Sequence, residues 1–164
     1  MVERIKNESI IKIYMFKKHP PKILIVEDNV NNHQLFTKAF EASGFSVVIC
    51  PYVDEGFIED VVGIQPDIIS MDIMIAGPNP ALSHDGLSAI EFLKADERTR
   101  DVPVMVLTNF FEETKVAAAK ENGAVDFINL QGHSISAIPR IFKKYLEDPK
   151  HYIPSHPVFR NTKV

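Results

Sequence analysis

Two short runs, Ile23-Leu24-Ile25-Val26 and Val104-Met105-Val106-Leu107, are apolar at every position rather than at every second one. A strand with one wet face alternates. A strand covered on both faces need not, and a parallel sheet flanked by helices is the usual way to cover both. β-rich stretches are expected over 22–27, 45–50, 67–72, 102–108 and 125–129. Segments with helical spacing separate them. Leu35, Phe36, Ala39 and Phe40 share a face before Gly44, and Phe57, Ile58, Val61 and Val62 repeat the pattern before Gly63. Ala89, Ile90 and Leu93 make a third stripe, and Val116 with Ala119 a weaker fourth before Gly123. Ile138, Ile141, Phe142 and Tyr145 make a fifth. The count is (βα)₅, an α/β doubly wound domain with a five-stranded parallel sheet.

The flanks read differently. His19-Pro20-Pro21 sets off an N-terminal extension, 1–21, from the domain, 22–146. A tail, 147–164, carries Pro149, Pro154 and Pro157 without helical period, and is expected either to fray or to dock. The 164 residues suit one domain with short flanks. Eighteen Lys and Arg against 22 Asp and Glu argue against a uniformly basic nucleic-acid binder. A lone Cys50 rules out an internal disulfide framework and suits a reducing, cytoplasmic setting. No stretch reaches the roughly 20 apolar residues that span a bilayer.

In open parallel sheets, ligands bind outside the carboxyl ends of the strands. Those ends carry Glu27-Asp28-Asn29, Asp72, Thr108-Asn109 and Asn129-Leu130. A single acid at a strand end is usually a solvated loop residue or a helix cap, as Asp28 or Asn29 could be. Three carboxylates converging from two strands repel one another, and a divalent cation relieves the repulsion. Oxygen-only ligands with room for water favour Mg²⁺.

Several motifs then stand in order: Lys22-Ile-Leu-Ile-Val-Glu-Asp-Asn29, Pro66-Asp-Ile-Ile-Ser-Met-Asp72, Asp85-Gly86, Val102-Pro-Val-Met-Val-Leu-Thr108 and Gly123-Ala-Val-Asp-Phe127. From about residue 22 to 146 the chain resembles the receiver domain of two-component response regulators, of the stand-alone type. The resemblance implies the flavodoxin-like receiver fold and a phosphoprotein in a phosphorelay. Asp72 would be the phosphoacceptor, served by a histidine kinase or a histidine phosphotransfer protein. Glu27, Asp28, Asp72 and the carbonyl of Met74 would hold Mg²⁺. Thr108 would be the switch hydroxyl and Phe127 the switch aromatic, although an aromatic beside a strand is ordinarily just core. Output would pass to a downstream protein target or through a homodimer, with no direct contact to nucleic acid or membrane. Enzymatic activity would not extend beyond its own phosphorylation and dephosphorylation.

Two departures stand out. Leu130 occupies the place of the lysine that ordinarily pairs with the phosphoacceptor, and Asn129, Gln131 and His133 are the local polar candidates to replace it. The interval from Asp72 to Gly86 is longer than the family's. A neutral insertion is one reading; a loop covering the site through Asn79 or His84 is the other. The alternative function is an atypical pseudo-receiver, a protein-binding module independent of phosphorylation. An enzyme on a similar sheet fits poorly. The phosphate loop of a flavodoxin and the Asp-x-Asp nucleophile of a haloacid-dehalogenase-type phosphatase are both missing after the first strand.

Overall fold

The computed structural model describes residues 19–160. Strand β1 (Lys22–Val26) leads to helix α1 (Val30–Ala42), β2 (Ser46–Cys50) to α2 (Phe57–Ile64), and β3 (Ile68–Met71) to α3 (Gly86–Ala95). β4 (Val104–Thr108) leads to α4 (Glu113–Glu121), and β5 (Asp126–Asn129) to a 3₁₀ turn (Leu130–Gly132) and α5 (Ile138–Glu147). The strands are all parallel, in the order β2-β1-β3-β4-β5. The chain moves outward from β1 to β2, then returns to β1's other side with β3. The topological switch therefore falls between β1 and β3, where a crevice opens at the carboxyl ends.

The continuously apolar runs divide between two cores. Leu24, Val26, Val104, Val106 and Phe127 face α2, α3 and α4, whose Val61, Ile90, Leu93, Val116 and Ala119 meet them. Ile23, Ile25, Met105, Leu107 and Ile128 face α1 and α5, through Phe36, Phe40, Ile138 and Phe142. Side chains on a strand alternate between faces, so covering both faces makes every position of β1 and β4 apolar. Phe40 is the hub of the second core, edge-on to Phe45 at 5.3 Å and to Phe142 at 5.2 Å.

Two local expectations are corrected. Leu35 is half exposed, because Phe36 and Phe40, four residues apart, fix the buried stripe of α1 and Leu35 falls beside it. Helix α2 does not stop before Gly63 but runs through it to Ile64 and ends at Gln65, in the left-handed region at φ 52°.

Beyond α5 the described part of the tail docks. Tyr152 packs on the α1/α5 side, edge-on to Tyr145 at 5.3 Å, and Phe159 is buried on the other side of the sheet. Residues 1–18 and 161–164, which hold most of the expected extension and the end of the tail, lie outside the described residues. No helix among the described residues is long and apolar enough to cross a membrane.

Candidate functional site

Glu27 directly follows β1 and is 2% exposed. Its Oε1 accepts from the Asn29 N–H at 3.0 Å and its Oε2 from the Asn32 side chain at 3.1 Å. Asn29, not Asp28, caps α1 through its side chain, which accepts from the Asn31 N–H. That leaves Asp28 free to face the crevice, where its Oδ2 accepts from the Ala76 N–H at 3.0 Å. Asp72, at the end of β3, receives two donors on Oδ1: the Met74 N–H at 3.0 Å and the Thr108 hydroxyl at 2.8 Å.

One carboxylate oxygen from each of Glu27, Asp28 and Asp72 lies within 4.8 Å of the other two. Burial pushes the Glu27 carboxyl above its ordinary range, and the charges of Asp72 and Asp28 push it further, against the hydrogen bonds from Asn29 and Asn32. Asp72 is raised as well, by burial and then by Asp28, against its bonds from Met74 and Thr108. Among the described residues no lysine or arginine forms a salt bridge with any of the three. A close set of hard oxygen donors, crowded by like charge, fits an oxygen-seeking divalent cation such as Mg²⁺.

The backbone around Asp72 is tightly built. Asp85 caps α3, accepting from the Ser88 N–H at 2.8 Å. It brings Gly86 so close to β3 that a Cβ there would stand 2.0 Å from the Asp72 carbonyl oxygen. Thr108, buried at the end of β4, accepts from the Phe110 N–H at 3.2 Å while it donates to Asp72. Phe127, on the neighbouring strand, is 1% exposed.

The chain matches the response regulator receiver domain over residues 23–132. It belongs to the receiver domain family. Receiver domains are signalling phosphoacceptors of two-component signal transduction. It is 30% identical over 129 residues to the polar-differentiation response regulator DivK of Brucella anthropi, covering 79% of this chain and 98% of DivK. It is 32% identical over 107 residues to the phosphate regulon transcriptional regulatory protein PhoB of Escherichia coli, covering 65% of this chain but 44% of PhoB. Among solved structures, the BeF₃-activated receiver domain of Klebsiella pneumoniae RstA superposes with a TM-score of 0.65 at 22% identity, covering 76% of this chain and 97% of that one. A two-component response regulator from Clostridium difficile gives 0.66 at 19%, covering 79% and 98%. At those identities the structures speak for the fold.

Within this receiver, Glu27, Asp28, Asp72 and Thr108 come together, with the Met74 backbone beside them. Leu130 sits in the 3₁₀ turn, half-buried against the α1/α5 core. Asn129 spends its side-chain oxygen on the Gln131 N–H, and its carbonyl meets His133 Nδ1 at 3.0 Å. No hydrogen bond joins Asn129, Gln131 or His133 to Asp72. The insertion is tied to the opposite side of the crevice mouth. His84 bridges Val53, its N–H donating to the Val53 carbonyl at 2.9 Å, and its ring stands edge-on to Phe92 at 4.9 Å. Asn79 closes a turn within the loop, through Ala81 and Ser83. Neither residue bonds to the acidic cluster; Ala76 does, through Asp28.

Three contributors were not singled out from the sequence. Asn32 bonds Glu27, and His33 Nε2 lies 2.6 Å from the Glu27 carbonyl. By sequence alone His33 is a lone histidine on the polar side of the helix, yet it lies in the first turn of α1, four residues beyond the Asn29 cap, and its ring reaches back to the Glu27 carbonyl. The third is Asp126, a carboxylate at the start of β5 that is fully buried.

Proposed function

We propose that residues 22–146 work as a receiver that takes a phosphoryl group onto Asp72 from a histidine kinase or a histidine phosphotransfer protein. The observation that carries this reading is the surround of Asp72. A hydroxyl donor lies at 2.8 Å, and two further carboxylates lie within 4.8 Å. A carboxylate oxygen of Asp72 attacks phosphorus, a P–O bond forms, the P–N bond to the donor imidazole breaks, and the electron pair leaves on that nitrogen. Bound Mg²⁺, held by Glu27, Asp28, Asp72 and the Met74 carbonyl, would supply the positive charge that the phosphoryl oxygens need. Thr108 donates to Asp72 in the free protein and is placed to donate to a phosphoryl oxygen afterwards. Phe127 follows Thr108 as the switch aromatic. Output passes to a protein target in the cytoplasm, either directly or through a homodimer, without direct contact to nucleic acid or membrane.

Leu130 supports a second reading, a phosphorylation-independent binding module, because an apolar side chain supplies no cation to Asp72 or to its adduct. The two readings part on one measurement. With Mg²⁺ and acetyl phosphate, intact mass should reveal one phosphoryl group on the wild type, and none on Asp72→Asn or in excess chelator. No adduct on the wild type favours the binding module; an adduct on Asp72→Asn removes Asp72 from its role.

A further inference from the structure

The segment after α5 crosses the open edge of the sheet. Tyr152 lies on the α1/α5 side, and Phe159 lies on the opposite side in one buried cluster with Val116, Ala119 and Phe127. A single carboxylate holds the crossing. Asp126 Oδ2 accepts from the Tyr152 hydroxyl at 2.5 Å and from the Ser155 N–H at 2.7 Å. Its Oδ1 accepts from the His156 N–H at 3.0 Å and from the Phe127 N–H at 2.8 Å. Three of these four donors belong to the crossing segment. Burying a carboxylate is costly unless donors surround it, so a fully buried Asp126 makes sense only with the segment in place. Lys120 Nζ adds a bond from α4 to the Val158 carbonyl at 2.6 Å.

The crossing lies on the switch aromatic. The His156 ring meets Phe127 edge-on at 5.9 Å. A continuous path leads from there to the acidic cluster. Thr108 joins Asp72 to the Phe110 backbone, and Phe110 packs against the cluster that contains Phe127 and Phe159.

We infer that residues 152–160 form an intramolecular strap that holds Phe127 inward, and that its docking is coupled to the state of Asp72. The coupling rests on the phosphoacceptor reading above. Its sign follows from the arrangement. With the strap docked, Phe127 is buried and Thr108 is turned to Asp72, whereas a ring swung outward would have to displace the His156 ring that meets it edge-on at 5.9 Å. A group on Asp72 that engages Thr108 therefore favours the docked strap, and the docked strap favours that group by the same factor.

Hydrogen exchange at the Ser155 and His156 amides reads strap docking directly, since both donate to Asp126. Mg²⁺ with beryllofluoride, added to the full chain, should slow their exchange by about fivefold or more, the low end of ordinary site-to-site coupling. Phe159→Ser and His156→Ala, each checked for a folded sheet by the protection of β1 and β4, should weaken beryllofluoride binding by a matching factor. Bound beryllofluoride, seen by fluorine NMR, with unchanged or faster exchange at Ser155 and His156 would overturn the strap and leave the phosphoacceptor reading standing. Variants that bind beryllofluoride as tightly as wild type would do the same. Protection that rises with protein concentration would assign the segment to a second copy and overturn the intramolecular strap. No bound beryllofluoride at all would overturn the phosphoacceptor reading, and the coupling with it.

Discussion

Gly86 lies against the main-chain carbonyl of Asp72, so that a Cβ on Gly86 would come within 2.0 Å of that oxygen and 2.8 Å of the Ile73 Cα. Both neighbours are backbone and cannot turn aside. The helix that begins at Gly86 is thereby seated directly behind the proposed acceptor. Gly86→Ala should destabilise the domain by about 1–3 kcal/mol, the usual range for overpacking, and should weaken Mg²⁺ binding by displacing Asp72 and Met74. Gly63→Ala is the control. Among the described residues nothing lies within 4 Å of a Cβ placed there, and the site is helical, so it should stabilise by about 0.5–1 kcal/mol. Urea unfolding of both variants decides the comparison; equal effects would mean that the contact at Asp72 is relaxed in solution.

The acidic cluster makes a pH prediction whose sign is opposite to that of an ion-paired carboxylate. Glu27 and Asp72 both hold their protons more tightly in the folded chain than is ordinary for their type. In the metal-free protein their favourable contribution is present below the ordinary carboxylate range and is lost as pH rises through the raised values. Asp72→Asn should therefore melt higher than wild type at neutral pH in excess chelator, with the gap closing as pH falls towards that range. Thermal unfolding across pH tests this. A variant less stable than wild type at neutral pH would show that the Thr108 and Met74 hydrogen bonds outweigh the repulsion.

Asp28 serves two partners, the cluster and the Ala76 N–H of the insertion. Asp28→Ala should abolish Mg²⁺-induced amide shifts near residues 27, 28 and 72, and should also speed hydrogen exchange at Ala76. The first effect without the second would separate the metal site from the loop. Mg²⁺ shifts that survive in the variant would count against Asp28 as a ligand.

At position 130 a leucine supplies packing to the α1/α5 core but no charge. One charge-assisted hydrogen bond is worth roughly 1.5–3 kcal/mol, so its loss should weaken the bias towards the switched state about tenfold or more. Beryllofluoride should shift the amides around Phe110, Phe127 and α5 only part-way in wild type, and further in Leu130→Lys. A complete shift in wild type, no larger in the variant, would show that another group supplies what the lysine ordinarily does.

Much of this architecture could be read from residue order alone. Continuous apolarity in β1 and β4 marks strands with two cores to serve, and the acids at the ends of β1 and β3 meet because those strands are neighbours. Asp72 and Thr108 follow from the same geometry. Other features have no local signature. Leu35 satisfies the helical period as well as Phe36 does, and the larger side chain wins the core. Asp126 reads as a polar residue opening a strand, because three of its four donors lie 26 to 30 residues downstream in a proline-containing segment without period. His156 is equally mute until that segment is seen to cross Phe127. The insertion has the right residues to roof the crevice, but the bridge between His84 and Val53 draws it to β2's end.

Only residues 148–151 separate the strap from α5, so with α5 in place the entropy of closing that loop is small. It also comes after the five strands in the chain and takes no place in their hydrogen-bonded ladders. Such a unit can come away and return many times within the lifetime of the folded sheet, as the least stable parts of a native protein do. Residues 152–160 should therefore settle after the sheet on refolding, and be cut by a protease while β1 and β4 stay untouched.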